Sequence, residues 1–150
     1  MAVVPVTGVH HPGLVVSDLA RSLTFYRAMF GVEPDLMLER IGGPELAALH
    51  DLPVAEISLA MLAFGNAHVE LIEYHAPVDG ARSQARACDL GAGHVALEVE
   101  DVEQACLRLA AAGMRFLGKP LHVEDGPAAG WVVAYGLDPD GNRIELLQTR

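Results

Sequence analysis

Two stretches of the chain alternate apolar and polar positions in the same way. From His11 to Val16 and from His94 to Val99 every second residue is apolar, Leu14 and Val16 in the first and Leu97 and Val99 in the second, as in a half-buried strand. The period then lengthens. After Asp18 come Leu19, Leu23, Tyr26 and Phe30 at helical spacing as far as Gly31, and after Asp101 come Val102, Cys106 and Leu109 as far as Gly113. Asp18 and Asp101 predict N-caps, whose carboxylates accept the free N–H groups of a first helical turn, and the glycines predict the stops. Further strands are predicted near Ile57 to Leu62, Ala67 to Glu73, Phe116 to Leu117, Val132 to Tyr135 and Arg143 to Leu147, with DPDGN at Asp138 to Asn142 as a hairpin turn. Pro44 opens a short helix, PELAALH. The span from Glu33 to Asp51, with IGGPELAAL at its centre and Gly42 and Gly43 as hinges, is long for a connection and reads as a substrate lid. Tyr74 to Gly93, polar and glycine-bearing, reads as the link between halves.

The chain repeats itself. Superposing VHHPGLVVSDLARSL on AGHVALEVEDVEQAC matches His11 with His94, Leu14 with Leu97, Val16 with Val99 and Asp18 with Asp101, all at one offset of 83 (94 − 11 and 101 − 18). A second match sets VELIEY around Glu70 on IELLQT around Glu145. Each half therefore reads strand, helix, three strands, and carries a histidine and then a glutamate. A duplicated unit fixes architecture before any one element is argued. The expectation is an α+β fold, a single domain over 1–150 made of two βαβββ modules at approximately 7–75 and 91–150, packed on one another in a curved mixed sheet.

Parity places the chemistry. With Leu14, Val16, Leu97 and Val99 toward the helices, His11 and His94 point to the opposite, concave face. Glu70 and Glu145 sit between apolar neighbours that pack behind the sheet, so their carboxylates project into the same cup. A buried carboxylate without a partner is costly. Two imidazoles and two carboxylates related by a pseudo-twofold axis suit a first-row divalent cation, with Zn, Ni, Co, Mn and Fe all compatible. By the same parity His10 faces the helices. His50, His68, His75 and His122 lack repeat partners and read as exposed, with His122 near enough to line the mouth. Trp131 and Tyr135 share a strand face, from which they either enter the pocket or pack.

Composition narrows the partners. The chain has 150 residues, 51% hydrophobic and 20% charged, and no apolar run long enough to span a bilayer. Ten basic against twenty acidic residues give a formal charge of −10, which repels phosphate backbones and anionic lipid. Neither nucleic acid nor membrane is an expected partner. Cys88 and Cys106 form no motif and read as small hydrophobes. The start, MAVVPVTGVHHPG, has no basic segment followed by an apolar core, so the expected compartment is the cytoplasm.

In HHPGLVVSDLARSLTFYRAMFG, HVELIEY, GAGHVALEVEDVEQA and DPDGNRIELLQ, in that order over nearly the whole chain, the sequence resembles the vicinal oxygen chelate superfamily of glyoxalases, epimerases, extradiol dioxygenases and antibiotic-resistance proteins. The resemblance implies a glyoxalase-like fold around a metal site with His11, Glu70, His94 and Glu145 as ligands. It also implies a small-molecule carbonyl substrate, and a homodimer that in some members exchanges halves. A two-histidine, one-carboxylate dioxygenase site needs only His11, His94 and Glu145; the fourth ligand, Glu70, favours a lyase, isomerase or epimerase. Such an enzyme moves a proton alpha to a carbonyl through a metal-stabilised enolate, with Glu145 and Glu70 as the catalytic shuttle. Sequestration of an antibiotic or metabolite without turnover, and iron-dependent dioxygenation, are the alternatives. Arg82, Arg86 and Lys119 stand alone and read as solvated charges rather than a coenzyme A phosphate site.

Overall fold

A computed structural model describes residues 4–150; the first three residues of the amino-terminal stretch read above lie outside it. β1 (Gly13–Val16) ends at Asp18, whose side chain accepts the Arg21 N–H and starts α1 (Leu19–Phe30). Gly31, at φ 67°, returns its N–H to the Arg27 carbonyl and closes the helix, a backbone conformation that favours glycine. β2 (Pro34–Gly42), α2 (Pro44–Leu49), β3 (Glu56–Phe64) and β4 (Ala67–Ala76) follow. The second half repeats the scheme with β5 (Val95–Glu98), α3 (Val102–Ala111) capped by Asp101, the short β6 (Arg115–Phe116) and β7 (Leu121–His122), then β8 (Val132–Leu137) and β9 (Arg143–Gln148).

The strands form two mixed sheets, ordered β1-β4-β3-β2 and β5-β9-β8-β6, with β7 also on β8. In each, the first strand runs parallel to the last and the rest are antiparallel. β6 and β7 together occupy the edge that the single β2 holds in the first sheet. One core lies behind both sheets. Val16, Leu62, Val69 and Leu71 of the first join Val95, Ala134, Ile144 and Leu146 of the second, with Leu19, Tyr26, Val102 and Leu109 from the two long helices. At roughly 25 cal/mol per Å² of apolar surface removed from water, a fully buried leucine such as Leu71 or Leu146 contributes about 2 kcal/mol.

The halves are tied together at the DPDGN turn. Asp138, 5% exposed, accepts the Asp140 and Asn142 N–H groups on Oδ1 and the Asn142 amide on Oδ2, which is why the turn is tight. Its Oδ2 also accepts the Tyr26 hydroxyl at 3.4 Å. Asp140 reaches across to the Ser17 hydroxyl and N–H and to Arg21, and the Asn142 amide donates to the Val15 carbonyl.

The span read as a lid is structured differently. Residues 34–42 are the edge strand β2, hydrogen-bonded to β3, and its string of exposed positions hid the strand periodicity. Gly42 is no hinge: a Cβ there would stand 2.8 Å from the Ala55 carbonyl oxygen, so glycine is required by close packing.

Candidate metal centre

Register sets the four candidate side chains. Glu70 lies in line with Gly13 on β1 and opposite Met61 on β3; Glu145 lies in line with Ala96 on β5 and opposite Tyr135 on β8. Successive residues face opposite sides, so Val69 and Leu71, and Ile144 and Leu146, enter the core while each carboxylate turns to the other face. The histidines stand just before β1 and β5. The His10 and Pro12 carbonyls accept the His68 and Glu70 N–H groups, but Pro12 has no N–H to return.

The result is two histidine–glutamate pairs. His11 Nε2 is 3.4 Å from Glu70 Oε2, with the carboxylate 17% exposed. His94 Nε2 is 2.7 Å from Glu145 Oε2, with that carboxylate 12% exposed. The Tyr135 hydroxyl donates to the same Glu145 oxygen at 2.8 Å, and its ring stands edge-on to His94 at 5.3 Å. Burial, and then the bond to Glu145, push the Tyr135 phenol above its usual range.

The pairs do not meet within one chain. Among the described residues no three His, Cys, Asp or Glu side chains gather closely enough to hold an ion. Each pair nevertheless fits half of a metal shell. With metal–ligand bonds of about 2.0–2.2 Å, adjacent ligands lie about 3.0–3.5 Å apart. The His11–Glu70 spacing falls in that range, and the His94–Glu145 pair, now at hydrogen-bond distance, would open by about 0.5 Å.

The surroundings depart from parity in one place. His10 does not turn to the helices: with β1 beginning only at Gly13, strand alternation does not govern it, and it lines the same cavity as His11. Its Nδ1 lies 2.6 Å from His11 Nδ1, and its ring stacks on His68, which bonds Asp35. This cavity, roughly 450 Å³, is walled by Leu36, Leu38, Leu59 and Met61 with Glu70 at its edge. His50 bonds Tyr74 and His75 bonds Ser58. His122 turns to Glu103 on α3, away from the cup. Arg82 pairs with Asp140 and Arg86 with Asp89, so neither guanidinium is free for a phosphate. Tyr135 is the site residue whose role the sequence pattern left open; only its register opposite Glu145 reveals it.

The sequence profile described as Glyoxalase/Bleomycin resistance protein/Dioxygenase superfamily matches residues 8–146. A 2-epi-5-epi-valiolone epimerase of Actinomyces sp. is 35% identical over 143 residues, 93% of this chain and 78% of that relative. A probable lactoylglutathione lyase of Synechocystis sp. is 30% identical over 143 residues, 93% of each chain. Among solved structures, a glyoxalase family protein of Bacillus cereus superposes with a TM-score of 0.81 over 99% of this chain and 97% of that one at 20% identity, a likeness of fold.

Proposed function

The chain belongs to the Glyoxalase/Bleomycin resistance protein/Dioxygenase superfamily, and on that premise we propose that it is a divalent-metal-dependent lyase, isomerase or epimerase moving a proton alpha to a carbonyl. One observation carries the reading. Two repeat-related histidine–glutamate pairs stand at or near the spacing of neighbouring ligands on one cation, with both carboxylates largely withdrawn from solvent. Relatives named as an epimerase and as lactoylglutathione lyases support the reaction class. The relative named 2-epi-5-epi-valiolone epimerase, at 35% identity, supports a valiolone-like ketone as this chain's substrate class.

His11, Glu70, His94 and Glu145 would hold the ion. Bound there, it supplies Lewis acidity that polarises the substrate carbonyl and acidifies the neighbouring C–H. The rest falls to the protein. Leu36, Leu38, Leu59 and Met61 give the cavity beside Glu70 an apolar wall, against which a proton-transferring carboxylate works best once a partner covers it. A second copy of the chain would complete the site, its His94–Glu145 pair closing on the His11–Glu70 pair of the first. The cup faces carry the exposed apolar residues such a contact needs, Leu36 and Leu38 on one sheet and Leu121 and Trp131 on the other.

Purified protein reconstituted with zinc, nickel or cobalt is expected to hold one ion per chain as a dimer. It is also expected to place deuterium alpha to the carbonyl of hydroxyketones in heavy water. Protein that remains metal-free after reconstitution, or that binds metal yet exchanges no alpha hydrogen of any hydroxyketone, defeats the proposal.

A further inference from the structure

Adjacent residues of a regular strand face opposite ways, yet Asp35 and Leu36 both line the cavity beside Glu70. The pairing of β2 with β3 explains this. Pro34 stands opposite Leu62 and Leu36 opposite Met61, so Asp35 is an extra residue with no partner on β3, a β-bulge. Such a bulge re-aims one side chain while the strand continues. Here it carries the Asp35 carboxylate across β3 to His68 on β4, whose Nε2 lies 2.8 Å from Oδ2. The His10 ring stacks on His68, with centres 5.9 Å apart. The cavity therefore has a polar corner facing its apolar wall. The second half has no counterpart: the offset that sets Glu70 on Glu145 (145 − 70 = 75) sets His68 on Arg143, whose Nη2 donates to the Ala85 carbonyl in the link between halves.

We infer that Asp35 and His68 are specificity-determining residues, set by the bulge to hydrogen-bond a hydroxyl on the far side of a ring ketone whose carbonyl lies beside Glu70. This rests on the proposed function and adds to it the residues that read the substrate. His68 and Glu70 lie two residues apart on one face of β4, about 6.8 Å along the strand. A six-membered ring with oxygens at opposite ends bridges that interval, and a three-carbon hydroxyketone does not. With Oδ2 engaged by His68, the carboxylate is oriented and keeps Oδ1 to accept a substrate O–H. The C–H groups of the ring face the leucines. A site built to bond a hydroxyl rejects the analogue that lacks it, because a polar group of the enclosed site is then left unpaired. The Asp35 side chain is 52% exposed, which sets the expected discrimination at about tenfold rather than at the far larger values of fully enclosed sites.

The full-length, zinc-reconstituted protein is tested by alpha-hydrogen exchange in heavy water on two ketones. One is 2-epi-5-epi-valiolone; the other is 2-hydroxycyclohexanone, which keeps the ring and the hydroxyketone but has no far hydroxyl. Wild-type protein is expected to prefer the first by at least about tenfold in kcat/KM, mainly through KM. Asp35→Ala is expected to lower that preference about tenfold, and Asp35→Asn, which keeps an acceptor, to restore part of it. His68→Phe, which keeps a ring against His10 but leaves Asp35 unoriented, is expected to act like Asp35→Ala. All three are expected to keep the wild-type circular dichroism and, loaded with cobalt(II), the wild-type visible spectrum. An unchanged preference in Asp35→Ala, a lost cobalt spectrum in that variant, or wild-type protein that exchanges the two ketones equally well overturns the inference while the proposed function stands. Wild-type protein that holds metal yet exchanges neither of these nor any other hydroxyketone overturns both.

Discussion

Asp138→Ala is expected to be among the most disruptive single changes away from the metal ligands, because one buried carboxylate closes a turn and joins two halves. The side chain accepts from the Asp140 and Asn142 N–H groups at 2.9 and 2.8 Å, from the Asn142 amide at 2.8 Å and from Tyr26 at 3.4 Å. Loss of the acceptor strands the Tyr26 hydroxyl, whose ring is 1% exposed, at about 1–3 kcal/mol for an unpaired buried group. The turn donors lie nearer solvent and recover part of their bonding from water, adding about 1 kcal/mol. The total is about 2–4 kcal/mol, or a fall in Tm of about 5–15 °C for a chain of this size. Tyr26→Phe alone removes a long bond and is expected to cost only about 0.5–1.5 kcal/mol. In the double variant no hydroxyl is stranded, so the two changes together cost less than their sum by about 1 kcal/mol or more. Urea titration of the four proteins at one concentration measures this cycle. Strict additivity, or a loss under about 1 kcal/mol for Asp138→Ala, would show that the contact between halves does not depend on this carboxylate.

Gly42→Ala places a methyl 2.8 Å from the Ala55 carbonyl and is expected to destabilise by about 1–3 kcal/mol in the same assay, although the position is exposed. Leu71→Ala, at 0% exposure in the shared core, is expected to lose about 2–5 kcal/mol. Asp140 would be raised by desolvation alone, but the Arg21 guanidinium and the Ser17 hydroxyl and N–H hold it below its ordinary range. A depressed carboxyl contributes stability that is complete above its unfolded pKa, about 3.9, and lost as pH falls through the lower folded value. The loss of stability from about pH 5 to about pH 2 is therefore expected to be smaller in Asp140→Asn than in the natural protein, measured by thermal melts at each pH. Leu38→Asp, on the exposed wall of the cup, is expected to yield a monomer by sedimentation that has lost metal affinity at least tenfold. A Leu38→Asp dimer with full metal content would remove that face from the subunit contact.

Local patterning was enough for both capping aspartates, Gly31, the DPDGN turn and the inward faces of Leu14, Val16 and Leu97, because each depends on neighbours within a few residues. Which histidines and glutamates to consider was legible for a different reason: a duplicated unit states its pattern twice, and His11 matches His94 at the same offset as three further pairs, which is hard to produce by chance. β2, the third strand that the repeat called for in the first half, was not located because an edge strand with nearly every side chain exposed has no apolar alternation to display. His10 was misplaced because parity holds only inside a strand, and Pro12 delays the start of β1 until Gly13. Long-range register alone sets Tyr135 opposite Glu145 and Met61 opposite Glu70, so the difference between the two carboxylates is invisible in the repeat that makes them look alike. The separation of the two pairs within one chain is likewise a matter of how the sheets pack. Short-range periodicity carries no information about the distance between two separately hydrogen-bonded layers.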